Sequence, residues 1–265
     1  MRRIRLTIEY DGSGYAGFQA QPGEPTIQVA LETAFDRLVS RGSRVQTAGR
    51  TDTGVHALAQ VVAVDYEGRI PPERMRSALN AVLPDDISVR DARACPDGFD
   101  PRRQASSRTY EYRILNRRAR SALLGGRVHH VGQDLDTAAM NAAAGELVGT
   151  HDFAGFVVET EEAVTRRVTN CACWREEDMV YVRISANAFA KRMVRRISGA
   201  LIQVGLGRFS IDDFIALLNR NDYAPVAPSA PAAGLYLVGV EYGDRDDPFN
   251  SVGALSGALK EIDVN

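Results

Sequence analysis

From Ile4 to Tyr10 apolar and polar side chains alternate, with Ile4, Leu6, Ile8 and Tyr10 on one side and Arg3, Arg5, Thr7 and Glu9 on the other. A period of two predicts a strand with one buried face and one polar face, either solvated or covered. After Pro25 and Thr26 the spacing changes to three and four: Ile27, Ala30, Leu31, Ala34 and Leu38 share one side of a predicted helix. Arg44 to Ala48 reads as a short strand, and the apolar run Leu58 to Val64 as a buried one. Pro71-Pro72 starts a second helix through Met75 and Leu79, and Ile87-Ser88-Val89 opens another strand. The order strand, helix, strand, strand, helix, strand is ferredoxin-like. It accounts for a first half, residues 1–105.

Beyond it, Arg108, Tyr110, Tyr112 and Ile114 fall on one face of a predicted strand. An alanine-rich helix is expected from about Asp136 to Leu147, and a loop opening at His151-Asp152-Phe153. Two strands follow, Val164 to Arg175 and Met179 to Ala186, joined by the acidic turn Glu176-Glu177-Asp178. Asn187 to Gly199 reads as a helix with Phe189, Met193, Ile197 and Leu201 on its core side. On that helix Lys191 with Arg195, and Arg192 with Arg196, would form basic stripes. Ser210 and Asp213 predict a helix cap. Ala224 to Ala233, with Pro225, Pro228 and Pro231, predicts a semi-rigid loop before a last strand, Leu235 to Val240. This second half spans 106–243, and residues 244–265 form a polar, weakly ordered tail.

A chain of 265 residues that is 45% hydrophobic can bury one large core or two fused smaller ones. No apolar run approaches a membrane span, and Met1 leads directly into the first strand pattern without a signal-peptide core, so a cytoplasmic protein with no membrane association is expected. Three cysteines, two of them on one strand, argue against a disulfide framework. No Cys-x-x-Cys or His-x-x-x-His pair is present, so no metal is expected. A net charge of -2 exerts no overall pull on nucleic acid, and any RNA binding must come from local arginine clusters.

The chemistry concentrates in Gly49-Arg50-Thr51-Asp52-Thr53-Gly54-Val55-His56-Ala57, a polar loop between two strands. In isolation Arg50 and Asp52 would read as a weak surface pair. The segment, however, resembles the signature of the bacterial tRNA pseudouridine synthases of the TruA family, with Asp52 at the position of the catalytic aspartate. The resemblance runs on through Tyr10-Asp11-Gly12 and the aromatic loop to Gln21, where Phe18 stands at a position where tryptophan is common. It continues through Arg108-x-Tyr110-x-Tyr112, Asn187-Ala188-Phe189 with Met193-Val194-Arg195, and Gly234-Leu235-Tyr236-Leu237.

The resemblance implies an α+β fold of two ferredoxin-like (RRM-like) halves. Their mixed, mainly antiparallel sheets would join into one extended sheet, with helices on one side and an RNA-binding cleft on the other. It implies an isomerase that converts uridine to pseudouridine without a cofactor. Asp52 would be the catalytic carboxylate, Arg50 would occupy the space of the extruded base, Tyr110 would lie against the base, and Arg195 would pair with Asp52. Arg108, Tyr15, Gln19, Lys191 and Arg192 would contact substrate. Arg117, Arg118, Arg120 and Arg127 lie just beyond the Tyr110 strand and suit RNA phosphates. The implied substrate is the tRNA anticodon stem-loop, at positions 38, 39 and/or 40, held by a homodimer. Another RNA target and a catalytically inactive RNA-binding protein are the alternatives. A hydrolase with Asp52 as nucleophile would need a partner carboxylate, and no nearby sequence pair supplies one.

Overall fold

A computed structural model describes residues 2–39, 43–157, 164–219 and 228–243. The first half contributes β1 (Arg2–Tyr10), α1 (Ile27–Leu38), β2 (Val45–Thr47), β3 (His56–Tyr66), α2 (Pro72–Asn80) and β4 (Ile87–Ala94). Its strands lie in the order β4-β1-β3-β2, each antiparallel to its neighbour, which is the ferredoxin-like arrangement. The second half comprises β5 (Ala105–Leu115), β6 (His129–His130), α3 (Thr137–Gly145), β7 (Gly149–Asp152), β8 (Thr165–Glu176), β9 (Met179–Ala186), α4 (Met193–Gly205), α5 (Ile211–Leu218) and β10 (Leu235–Tyr242). Its order, β10-β5-β9-β8, repeats the same antiparallel pattern, with β7 added beyond β8 and β6 against β5. One short parallel pairing of β3 with β10, Tyr236 opposite His56 and Leu237 opposite Ala57, joins the halves into a ten-stranded open sheet.

The alternation of β1 holds, and its polar side is covered. Ile4, Leu6 and Ile8 face α1 and α2, where Leu31, Phe35, Met75 and Leu79 are fully buried. Each such side chain contributes about 1.5–3 kcal/mol relative to exposure. Phe35 anchors α1, whereas Leu38 is only partly buried. On the opposite face, Arg3 donates to the Phe99 carbonyl and to Asp65, and the Arg5 guanidinium lies 4.6 Å from the Tyr242 ring centre. Phe99 and Tyr242 with Ala48, Val61 and Ala63 form a small second core there. In the second half Met140, Ile197, Leu201 and Phe214 from α3, α4 and α5 pack with Ile114, Val182 and Ile184 of the sheet.

Two local expectations are corrected. The helix read from Asn187 starts only at Met193, because Arg192 takes a left-handed backbone (φ 60°) and Phe189 leaves the helix line to meet Tyr110 edge-on. Lys191 and Arg192 therefore sit on the turn before α4, and the expected stripes along a helix do not form. His151 and Asp152 belong to β7, paired with Arg166 and Thr165, instead of opening a loop. The cap at Ser210 is a full capping box with Asp213. Pro225 and the tail 244–265 fall outside the described residues.

Candidate active site

The Asp52 loop is held by groups from β1, from β3 and from the loop that follows β1. Tyr10 and Thr51 share a hydroxyl–hydroxyl bond of 2.8 Å, and Gln60 donates to the Gly49 carbonyl at 2.7 Å. Phe18 N–H donates to the Thr51 carbonyl, and Gly54 N–H to the Tyr15 carbonyl. The segment after β1 thus wraps onto the loop, and two of its glycines allow the approach. A Cβ on Gly12 would stand 2.0 Å from the Val55 carbonyl oxygen, and Gly17, at φ 98°, would place one 2.8 Å from that of Thr51.

Asp52 keeps 29% of its side chain exposed, and its Oδ2 lies 3.7 Å from Arg195 Nη1. Arg195 is fixed in turn: its Nε donates to the Ala230 carbonyl at 2.8 Å, and Ala230 N–H donates back to the Arg195 carbonyl. Tyr110 completes the group from β5. Its ring packs edge-on against Phe189, and a side chain on Gly49 would begin 3.8 Å from its hydroxyl. Burial, reinforced by Tyr10 and Asp52, raises the Tyr110 pKa far above the usual phenol value, so the hydroxyl stays protonated. It has no hydrogen-bond partner among the described residues. Tyr110 shares its strand face with Tyr112 and Ile114, which are fully buried in the helix-packed core. Asp52 faces Arg195, and its charge acts on Tyr110, so the three form one group.

The other expected residues divide into two groups. Arg50, Lys191 and Arg192 are exposed and in no ion pair among the described residues, and Gln19 is half-buried with its amide unbonded. These are free to meet a ligand. Arg108 is buried, and its guanidinium makes five hydrogen bonds to the carbonyls of Ala48, Arg102, Ala105 and Asn187. It ties the entry to the Asp52 loop to the approach to α4. Tyr15 directs its hydroxyl to Asp86 at 2.6 Å, and Phe18 is buried against Tyr10 instead of offering its ring to solvent. Arg117 pairs with Asp178 and Arg127 with Asp11, whereas Arg118 and Arg120 are exposed.

Asp52 comes from one half, and Tyr110 and Arg195 from the other, so the β3–β10 seam sets their spacing. At that seam the His56 and Tyr236 rings stack at 4.6 Å. His56 Nε2 meets the Gly126 carbonyl at 3.0 Å, its Nδ1 accepts from Gly12 N–H, and Tyr236 donates to the Arg127 carbonyl at 2.6 Å. Burial lowers the His56 pKa, an effect only partly opposed by Asp11 at 3.1 Å. Sequence reasoning assigned no role to His56 or Tyr236. Both lay inside motifs already quoted, but nothing in their spacing indicated that they touch.

A sequence model of the family described as tRNA pseudouridine synthase matches residues 6–102 and 143–243. The chain is 44% identical to tRNA pseudouridine synthase A of Caulobacter vibrioides over 247 residues, covering 92% of this chain and 100% of that one. It is 44% identical to tRNA pseudouridine synthase A of Methylobacterium nodulans, covering 91% and 96%, and 38% identical to that of Caldicellulosiruptor saccharolyticus, covering 91% and 100%. Matches of this extent along both halves show that the chain belongs to the tRNA pseudouridine synthase family of isomerases.

Proposed function

We propose that this tRNA pseudouridine synthase isomerises uridines 38, 39 and 40 in the anticodon stem-loop, with Asp52 as the catalytic carboxylate. The observation that carries the assignment is the meeting of Asp52 with Arg195 3.7 Å away, beside a Tyr110 hydroxyl with no hydrogen-bond partner among the described residues. The reaction breaks the bond from N1 of uracil to C1′ of the sugar, turns the base, and joins C5 to C1′. C5 loses a proton and N1 ends with one. No electrons are gained or lost, so the chain's own residues suffice and no cofactor is invoked.

A carboxylate at Asp52 serves as nucleophile or stabilises positive charge at C1′ as N1 departs. Arg195, held by the Ala230 carbonyl, orients it. Tyr110 stacks against the base. Burial holds its hydroxyl protonated in the free protein, where it can donate a hydrogen bond to the base and take part in the proton transfer at C5. Extruding a stacked uridine costs a few kcal/mol, and the unpaired, exposed Arg50 is suited to the vacated space. Lys191, Arg192 and Gln19 contact the RNA, while Arg108 and Tyr15 support the loops that do so. Residues 1–105 act as the domain carrying the aspartate and 106–243 as the domain carrying tyrosine and arginine. Two such chains form a cytoplasmic homodimer around the substrate.

The test incubates purified protein and an Asp52→Asn variant with unmodified tRNA transcripts, then maps pseudouridine by carbodiimide labelling and primer extension. Stops in the anticodon stem-loop with the wild type alone are expected. Stops elsewhere, or none on any tRNA that the protein binds, would redirect the reading to another RNA target.

A further inference from the structure

Arg196 follows the arginine that faces Asp52, in the first turn of the 13-residue α4. It is only 8% exposed, and its Nε is sealed from solvent with no hydrogen-bond partner. Among the described residues no carboxylate lies within ion-pair distance of it. Its terminal nitrogens are not sealed in this way. Side chains on a helix lean toward its N-terminus, so this guanidinium lies over the start of α4, one turn from Arg192. That end of the helix has no acidic residue in its first turn and no side-chain cap. Desolvation, with Arg192 and Arg195 as the neighbouring charges, lowers the Arg196 pKa.

A guanidinium whose Nε is withdrawn from water beside two other cations, with its terminal nitrogens still open, is favoured by an anion that completes it. The nearby acid, Asp52, already faces Arg195. Met193 and Arg196 N–H bond back to the Ala190 and Arg192 carbonyls, and the Val194 and Arg195 amides, with no such bond among the described residues, favour an anion at the same place. We propose that Arg196, with Arg192 and the open N-terminus of α4, binds a phosphodiester of the RNA substrate next to the target nucleotide. This rests on the reading of RNA as substrate. It assigns a ligand to a buried residue that the catalytic group does not use.

The experiment measures tRNA-transcript binding by the full-length wild type, Arg196→Met and Arg196→Lys across a KCl series, with the melting temperature of each free protein. Loss of one phosphate contact reduces the slope of log affinity against log salt by about 0.7–0.9. Arg196→Met is expected to show that loss and to bind roughly tenfold more weakly at low salt, whereas Arg196→Lys keeps most of the slope. The free Arg196→Met protein is expected to melt at or above the wild-type temperature, because an unpaired buried charge has been removed. An unchanged slope overturns the proposal, all the more if Arg196→Met melts lower, which marks a structural residue. Thermal stabilisation of the wild type by inorganic phosphate, with RNA affinity unaffected in Arg196→Met, would assign the site to a free anion and also overturn it. A wild type that modifies tRNA while Arg196→Met keeps its slope refutes this contact alone. A wild type that binds no tRNA refutes the RNA reading first.

Discussion

Arg108 and Arg196 are buried to the same degree, 9% and 8% exposed, yet their surroundings are opposite. Arg108 spends every guanidinium nitrogen on backbone carbonyls, so its charge is satisfied inside the protein. Arg196 has no such partners among the described residues, and its neighbour Arg195 is directed at Asp52. Burial alone therefore does not distinguish an arginine that builds the site from one that serves a ligand. The hydrogen-bond inventory does.

The comparison breaks or sharpens in order of effect. Asp52→Asn removes the anion that Arg195 faces without touching the carbonyl cage of Arg108. Turnover should fall by roughly three orders of magnitude or more, with RNA affinity and melting temperature close to wild type. Activity within a few-fold of wild type would sink the assignment. Arg108→Met leaves four carbonyls short of a donor and should cost about 3–5 kcal/mol in a denaturant titration. Neutral stability there would dissolve the contrast with Arg196→Met. Arg195→Lys cannot hold the Ala230 carbonyl and Asp52 at once, so kcat should drop about 10- to 100-fold while stability changes little. An unaltered kcat would make Arg195 structural.

The smallest effect concerns pH and the seam. His56 is kept neutral by burial, so the folded chain binds fewer protons than the unfolded chain once pH falls below about 6.5. Stability from this source is complete above that value and declines as pH drops. Asp11, lowered to about 2, adds a second decline between about 4 and 2. Burial alone would raise its pKa, but the Ser13 bonds and Arg127 outweigh that effect. Melting curves between pH 7 and 5 should slope less for His56→Gln than for the wild type. Equal slopes would mean that His56 does not titrate as described.

The strand and helix order was legible because each element carries its own period. β1, α1, β3 and the β8–β9 hairpin lie within a few residues of their predicted bounds. The start of α4 was not legible. Residues 187 to 192 continue an apolar spacing of four, but Phe189 is claimed by Tyr110, some eighty residues earlier in the chain. The same limit applies to Phe18, whose burial against Tyr10 depends on the fold and not on the glycines around it.

The sequence by itself determined the element order, the loop with Asp52 at its centre, and the motifs that name the family, because local periodicity and residue chemistry need no partner to be read. Only the tertiary structure decided that His56 stacks on Tyr236, that Arg108 is spent on carbonyls, and that Arg196 is buried with no carboxylate paired to it among the described residues. Each of these depends on which polar atoms from distant segments come within hydrogen-bond reach, a short-range condition that spacing along the chain does not encode.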